Sequence, residues 1–139
     1  MIDNGFAQTP MKGDLRDLVS RKHAERQTII INSSTPLAQA YKAMKLYDIS
    51  QIPVLDGATL VGLLDEEDLL LHAYECGCFD GVAGDIMTKG LNTVEASASL
   101  DDVLELLTHG MVVPVLHKGH FEGLITKIDV LNHLRLTAA

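Results

Sequence analysis

Leu37, Ala40, Tyr41 and Met44 fall at i, i+3, i+4 and i+7, and so do Leu100, Val103, Leu104 and Leu107. That spacing is one face of an amphipathic helix. After each such run come two short apolar stretches, "QIPVLD" (51–56) with "TLVGLLD" (59–65), and "VVPVLHK" (112–118) with "FEGLIT" (121–126). They read as strand pairs turning at Asp56-Gly57 and Lys118-Gly119. A shorter apolar stretch precedes each helix, "TIII" (28–31) and "NTV" (92–94), and reads as a strand. Thr35 before Pro36 predicts a hydroxyl N-cap with proline at the first helical position. A closing helix is predicted from Asp65–Asp68 and again from Thr126–Asp129.

The two halves are copies. With Pro53 laid on Pro114, an offset of 61, eight of the twenty positions in 53–72 and 114–133 are identical. Upstream the offset becomes 63, because "LYDISQIP" is shortened to "HGMVVP". The pattern therefore predicts an α/β fold of two β-α-β-β-α units packed about a pseudo-twofold axis. The expected boundaries are a linker at 1–13, a first unit with a leading helix at 14–76, and a second unit at 77–139. Between the units, "YECGCFDGVAGDIMTKG" (74–90) reads as a glycine-rich connector with a short helix.

Composition narrows the function. The chain has 139 residues and a formal charge of −8. An acidic balance argues against nonspecific nucleic-acid binding, which depends on clustered Lys and Arg. No apolar run approaches the roughly 18–20 residues of a membrane span, and "MIDNGFAQTP" lacks the regions of a signal peptide. Cys76 and Cys78, one residue apart, make a poor disulfide framework. A cytoplasmic setting is the expectation, with neither a nucleic acid nor a membrane as partner.

The chemistry worth weighing sits where the last strand of each unit becomes a helix. Thr126-x-x-Asp129 is a capping-box pattern, and Asp65 can cap the other helix in the same way. A helix start also offers free N–H groups to an anion, and a carboxylate there can accept from the two hydroxyls of a ribose. The glycine before each strand end, Gly62 or Gly123, lets a flat base approach the backbone. A residue can cap a helix and still meet a ligand.

A doubled unit with Pro-Val-Leu followed by Gly-x-Leu/Ile-Thr-x-x-Asp resembles the paired cystathionine β-synthase (CBS) domain, or Bateman module, over about residues 14–136. "GDLRDLVSRKHA" (13–24), "YDISQIPVLDG" (47–57) and "LVGLLDEEDLLLHAY" (60–74) further resemble the C-terminal regulatory tail of bacterial cystathionine β-synthases. The resemblance implies a non-catalytic regulatory module that binds an adenosyl ligand (AMP, ADP, ATP or S-adenosylmethionine) in a cleft between the units. It implies no covalently bound cofactor. It also implies a homodimer and an attached or partner enzyme, on this likeness a pyridoxal-phosphate lyase whose catalytic domain would precede the linker. Carried onto this chain, the first site takes Thr126, Ile128 and Asp129, with Gln27, Thr28 and Ile29 flanking the base. Ile49, Gln51, Ile52 and Pro53 form its apolar wall. Asp129 would hold the ribose and Thr126 the phosphate or the tail of the adenosyl group. The second site takes Asp65, Glu67 and Asp68 with Leu91, Asn92 and Thr93. It departs from the family, because Asp65 stands where Ser or Thr is usual. Acidic groups crowded there repel phosphate, so this site is expected to be empty or to prefer a cationic adenosyl ligand.

Other groups carry less. His72, Cys76 and Cys78 fall short of the usual zinc-ligand spacing, so no metal is expected. No nucleophile has a base to name, so no enzymatic activity is expected. His72 and His133 recur at matching positions in the closing helices and are read as structural, as are Met87 and Met111. "LRDLVSRKHAE" (15–25) is amphipathic, with Leu15, Leu18 and Val19 on one face and a solvated basic cluster at Arg21-Lys22-His23. The alternative to ligand binding is a module that only dimerises or scaffolds.

Overall fold

A computed structural model describes Leu15, Leu18 and residues 28–138, the side chains of 136–138 excepted. In chain order the elements are α1 (Leu37–Tyr47), β1 (Gln51–Asp56), β2 (Thr59–Asp65), α2 (Glu66–Cys76) and α3 (Ala83–Ile86). There follow β3 (Val94–Glu95), α4 (Leu100–Leu107), β4 (Val112–His117), β5 (His120–Thr126) and α5 (Lys127–Ala138). This is the expected α/β architecture with the helix-hairpin-helix unit present twice. In space the chain divides into two compact bodies, Ile29–Leu91 on the one hand and Thr28 with the residues from Asn92 onward on the other. Leu15 and Leu18 belong to the second body.

In the body of residues 29–91, β1 and β2 form an antiparallel hairpin that pairs Gln51 with Asp65 and Pro53 with Leu63. The turn between them uses Gly57 at φ 65°, a left-handed conformation that glycine adopts without a Cβ penalty. The strand expected at 28–31 is reduced to a single bridge. Ile31 donates to the Pro53 carbonyl (3.1 Å) and accepts from the Leu55 N–H (2.8 Å), and nothing upstream continues the ladder among the described residues. Pro36 proves to be the N-cap of α1 and not its first residue. Thr35, instead of capping, takes the Asn32 N–H on its hydroxyl. The first N–H of α1, that of Leu37, is satisfied by the Gly81 carbonyl, so the connector itself closes the helix start. Leu37, Ala40 and Met44 turn inward as their spacing predicts and pack with Ile52, Val54, Leu64, Leu69 and Ala83.

The second body repeats this with one more strand. β4 and β5 pair antiparallel, and β3 lies parallel to β4 through Val94 and Val115. Both hairpins carry a register shift at equivalent places, Val54/Leu55 and Val115/Leu116. The tight turn at Lys118-Gly119 has both residues at positive φ, 52° and 81°, the requirement of a type I′ hairpin turn. Val94, Ala96, Val103, Leu107, Val113, Val115, Ile125 and Val130 form the core, and Leu15 and Leu18 complete it. The Leu15 N–H donates to the Ala96 carbonyl at 2.8 Å. Val19 and the basic cluster at 21–23 lie outside the described residues.

The connector departs from expectation. α2 ends at Cys76, and Gly77 at φ 72° turns the chain back in the left-handed conformation usual after a helix. That reversal sets the Cα atoms of Cys76 and Cys78 5.2 Å apart, within disulfide reach, and the two are bonded. Two cysteines so close in sequence were not expected to pair. The αL glycine between them is the reason they do.

Candidate functional site

Each body ends its hairpin in a capped helix. In the second body the Thr126 N–H donates to Asp129 Oδ2 at 2.8 Å, and the Thr126 hydroxyl donates to the same oxygen at 2.9 Å. The Asp129 N–H returns to Thr126 Oγ1 at 3.4 Å. This is a full capping box. It commits the proton of the Thr126 hydroxyl to Asp129, so Thr126 presents only oxygen lone pairs to anything else. The backbone N–H groups of the first turn, which the helix cannot satisfy, are further donors at this start. Asp129 is half-buried and Ile128 is 60% exposed, beside the exposed Lys127.

Thr28 belongs to the same body. Its hydroxyl oxygen is buried and meets no hydrogen-bond partner among the described residues. A buried hydroxyl left in that state costs about 1–3 kcal/mol unless a partner arrives. Gln27 lies outside the described residues. Ile29, Ile49, Gln51, Ile52 and Pro53 belong to the other body, where Ile52 and Pro53 are buried and Ile29, Ile49 and Gln51 half-buried.

In the body of residues 29–91 the equivalent helix start is built from carboxylates. The Asp68 N–H donates to Asp65 Oδ1 at 2.9 Å, and the Asp65 N–H donates to Asp68 Oδ2 at 3.1 Å. The Thr88 hydroxyl adds a longer bond to Asp68 at 3.4 Å. Burial pushes the Asp68 carboxyl above its ordinary range, and the neighbouring charge of Asp65 pushes the same way. Asp65, Glu66, Glu67 and Asp68 give this start a formal charge of −4, whereas Thr126-Lys127-Ile128-Asp129 sums to zero. The two copies therefore face an anion on very unequal terms. Leu91 belongs to this body, and Asn92 and Thr93 to the other.

The glycine expected to admit a base at the first repeat has a different neighbour. A Cβ on Gly62 would lie 2.5 Å from Met87 Sδ and 3.0 Å from the Thr88 carbonyl. Leu63 and Thr88 exchange backbone hydrogen bonds at 2.8 and 2.9 Å beside it. Gly62 is thus required by the connector, which closes over the hairpin at that point.

One feature escaped the sequence. A hollow of about 370 Å³ opens between α1 and α2, lined by Tyr41, Met44, Ile49, Leu69, Leu70 and Phe79, among others. Tyr41 stacks on Phe79 with ring centroids 5.0 Å apart. Around it Leu70, Leu71 and Tyr74 are exposed. The signal was present as Leu70, Leu71 and Tyr74, apolar positions that widen the stripe of α2 beyond what one core can cover.

Two copies of a helix-hairpin-helix unit, each with an acidic capping box where the hairpin enters its last helix, define a duplicated α/β module. The chain belongs to the CBS-domain family, whose model matches residues 15–75 and 83–136. It is 31% identical over 117 residues to protein YlbB of Bacillus subtilis, covering 78% of this chain and 79% of that one. It is 26% identical over 131 residues to inosine-5′-monophosphate dehydrogenase of Thermoplasma acidophilum, covering 88% of this chain but 26% of the enzyme. Among solved structures it resembles CBSX2 of Arabidopsis thaliana in complex with AMP, with 26% identity and a TM-score of 0.71 over 82% of this chain and 93% of that one. The chain is accordingly a CBS-domain regulatory module. Among the described residues no helix is long and apolar enough to cross a membrane.

Proposed function

We propose that the chain binds an adenosyl ligand, AMP, ADP, ATP or S-adenosylmethionine, and that the binding free energy regulates an attached or partner enzyme. The observation that carries this reading is the unsatisfied buried hydroxyl of Thr28 in the body that also holds the uncharged-on-balance Thr126–Asp129 helix start. A polar ligand supplies the partner that Thr28 lacks, the Asp129 carboxylate takes the ribose hydroxyls, and the first-turn N–H groups take phosphate. CBSX2, which resembles this chain, binds AMP. The contributions of Gln27, Ile29, Ile49, Gln51, Ile52 and Pro53 are part of the proposal. The site of Asp65, Glu67, Asp68, Leu91, Asn92 and Thr93 is proposed to refuse phosphate and to stay empty or take only a cationic adenosyl ligand. The regulated enzyme is proposed to be a cystathionine β-synthase-like pyridoxal-phosphate enzyme, on the likeness of residues 13–24, 47–57 and 60–74. Ligand binding can regulate only if it favours one arrangement of the module over another.

Calorimetry with the four ligands tests the reading. Binding of at least one is expected, with loss on Asp129→Ala and retention on Asp68→Ala. Loss on Asp68→Ala instead puts the ligand at the other helix start. If no ligand binds and none raises the melting temperature, the second reading stands, a dimerising scaffold. That alternative is favoured by the exposed apolar side chains of Leu70, Leu71 and Tyr74. At a hundred times the dissociation constant a bound ligand stabilises by about 2.7 kcal/mol, well within detection.

A further inference from the structure

We infer that His72, Cys76 and Cys78 form a redox-gated site for a thiophilic divalent cation of the zinc class. The sequence spacing argued against a metal, but the fold brings the three together. His72 and Cys76 stand four apart on one face of α2, and the left-handed Gly77 returns Cys78 to the same face. A ring nitrogen of His72 and the two sulfurs all lie within 4.8 Å of one another.

The geometry suits zinc once the disulfide is open. Zinc–sulfur bonds of about 2.3 Å and zinc–nitrogen bonds of about 2.0 Å at tetrahedral angles set ligand atoms roughly 3.6–3.8 Å apart. The histidine nitrogen needs to approach by at most about 1 Å, and the two sulfurs, once their bond is cut, must part by about 1.7 Å, both within the reach of side-chain rotation at a helix end. His72 is already oriented. Its ring lies with Nε2 at 2.8 Å from the Asp80 carbonyl, which can only accept, so Nε2 carries the proton. Nδ1 then holds the lone pair that a cation needs, and the carbonyl fixes the ring as the outer partner of a metal-bound histidine does. Three protein ligands leave a fourth position for water or an incoming donor.

The gate is the Cys76–Cys78 bond. A dithiol reductant transfers two electrons and two protons to it, giving two thiols, and is itself oxidised to a disulfide. Cation binding then displaces the two thiol protons. A disulfide oxidant takes the two electrons back by thiol–disulfide exchange, is itself reduced to a dithiol, and re-forms the Cys76–Cys78 bond; the cation leaves, since a disulfide sulfur is not a thiolate ligand. Cys76 and Cys78 are the only cysteines in the sequence, so no other pairing competes. The state of the site reaches the fold through its neighbours. Asp80 holds His72, and Gly81 next to it accepts the first N–H of α1.

The test uses the full chain, reduced with a dithiol and desalted without air, and titrated with Co²⁺. The expected result is one Co²⁺ per chain, with thiolate-to-cobalt charge-transfer absorption in the near ultraviolet that is absent from the oxidised chain. Zn²⁺ should abolish the band by displacement. Cys78→Ser should remove about half of the band, and His72→Ala should weaken affinity by at least about tenfold, with circular dichroism confirming that both fold. A reduced chain that develops no charge-transfer band overturns the proposal. So does a band that survives Cys78→Ser unchanged, or an affinity indifferent to His72→Ala. None of these outcomes bears on adenosyl binding, which is read with different ligands and different residues.

Discussion

Asp129 is given two tasks, and Asp129→Asn and Asp129→Ala separate them. The structural task is visible: Oδ2 accepts from the Thr126 N–H and hydroxyl at 2.8 and 2.9 Å. Asparagine keeps a carbonyl oxygen in that position, whereas alanine removes the acceptor. Loss of a cap costs about 1 kcal/mol, and loss of a negative charge at the helix start about 0.3–1 kcal/mol more. Asp129→Ala should thus lose about 1–2 kcal/mol, or roughly 3–8 °C of melting temperature for a chain of this size. Asp129→Asn should lose only the charge effect. The proposed binding task responds differently. Two ribose hydroxyls donating to a carboxylate form charge-assisted bonds worth about 1.5–3 kcal/mol each. Asparagine can keep one acceptor but not the charge, so affinity should fall by about a hundredfold or more. Calorimetry for binding and scanning calorimetry for stability measure the two separately. An Asp129→Asn chain that folds and binds its preferred adenosyl ligand like the parent would refute the sugar-binding assignment. An Asp129→Ala chain as stable as the parent would refute the capping account.

Further outcomes follow from other sites. Asp68 is held above the ordinary carboxyl value of 3.8, mainly by burial, so its ionisation opposes folding as pH rises through that range. Asp68→Asn should therefore melt higher than the parent at neutral pH, and the difference should vanish below about pH 4, a point checked by melting curves across pH. Gly62→Ala places a Cβ against Met87 and the Thr88 backbone and should destabilise by about 1–3 kcal/mol. Combining it with Met87→Ala should recover only part, because the Thr88 carbonyl at 3.0 Å stays. The homodimer implied by the family resemblance is tested at the exposed face of α2. Leu70→Asp with Tyr74→Asp should convert a sedimenting dimer to a monomer without loss of helicity, and unchanged sedimentation of a dimer would place the interface elsewhere.

What the sequence disclosed was whatever repeats with a short period. The helix face of Leu37, Ala40 and Met44 and the alternating hairpins are local patterns, and both were legible together with the duplication. The capping boxes were legible too, since Thr126 and Asp129 are three apart and need no distant partner to be recognised. The strand at 28–31 was not, because β-branched residues favour extension but, among the described residues, only Ile31 finds a neighbouring backbone to bond. The core role of Leu15 and Leu18 was hidden for a similar reason. Their spacing shows an apolar face but not which body needs it, and they complete the core of Val94 and Val113, about eighty to one hundred residues away in the chain. The pairing of Cys76 with Cys78 depended on the φ of one glycine, a conformation that sequence permits without demanding.

The departures between the copies carry more functional information than the identities. Asp68 and Asp129 are both retained as N3 carboxylates, and capping alone is enough to explain that. The residues around them differ: Asp65, Glu66 and Glu67 against Thr126, Lys127 and Ile128. Capping does not require that difference, since Asp and Thr both serve at the N-cap. What it changes is the field at the helix start, from a net formal charge of −4 to zero. At about 8 Å in water each unit charge acts on a phosphate with roughly 0.5 kcal/mol, so four oppose an anion by about 2 kcal/mol, some thirtyfold in affinity. On the proposed function, the charge difference alone would direct an anionic ligand to the Thr126–Asp129 motif. Replacing Asp65, Glu66 and Glu67 by Thr, Lys and Ile should bring nucleotide binding to the second motif. Calorimetry would then show two sites per chain where the parent shows one. A single site in that variant would mean that charge at the helix start does not govern which motif is filled.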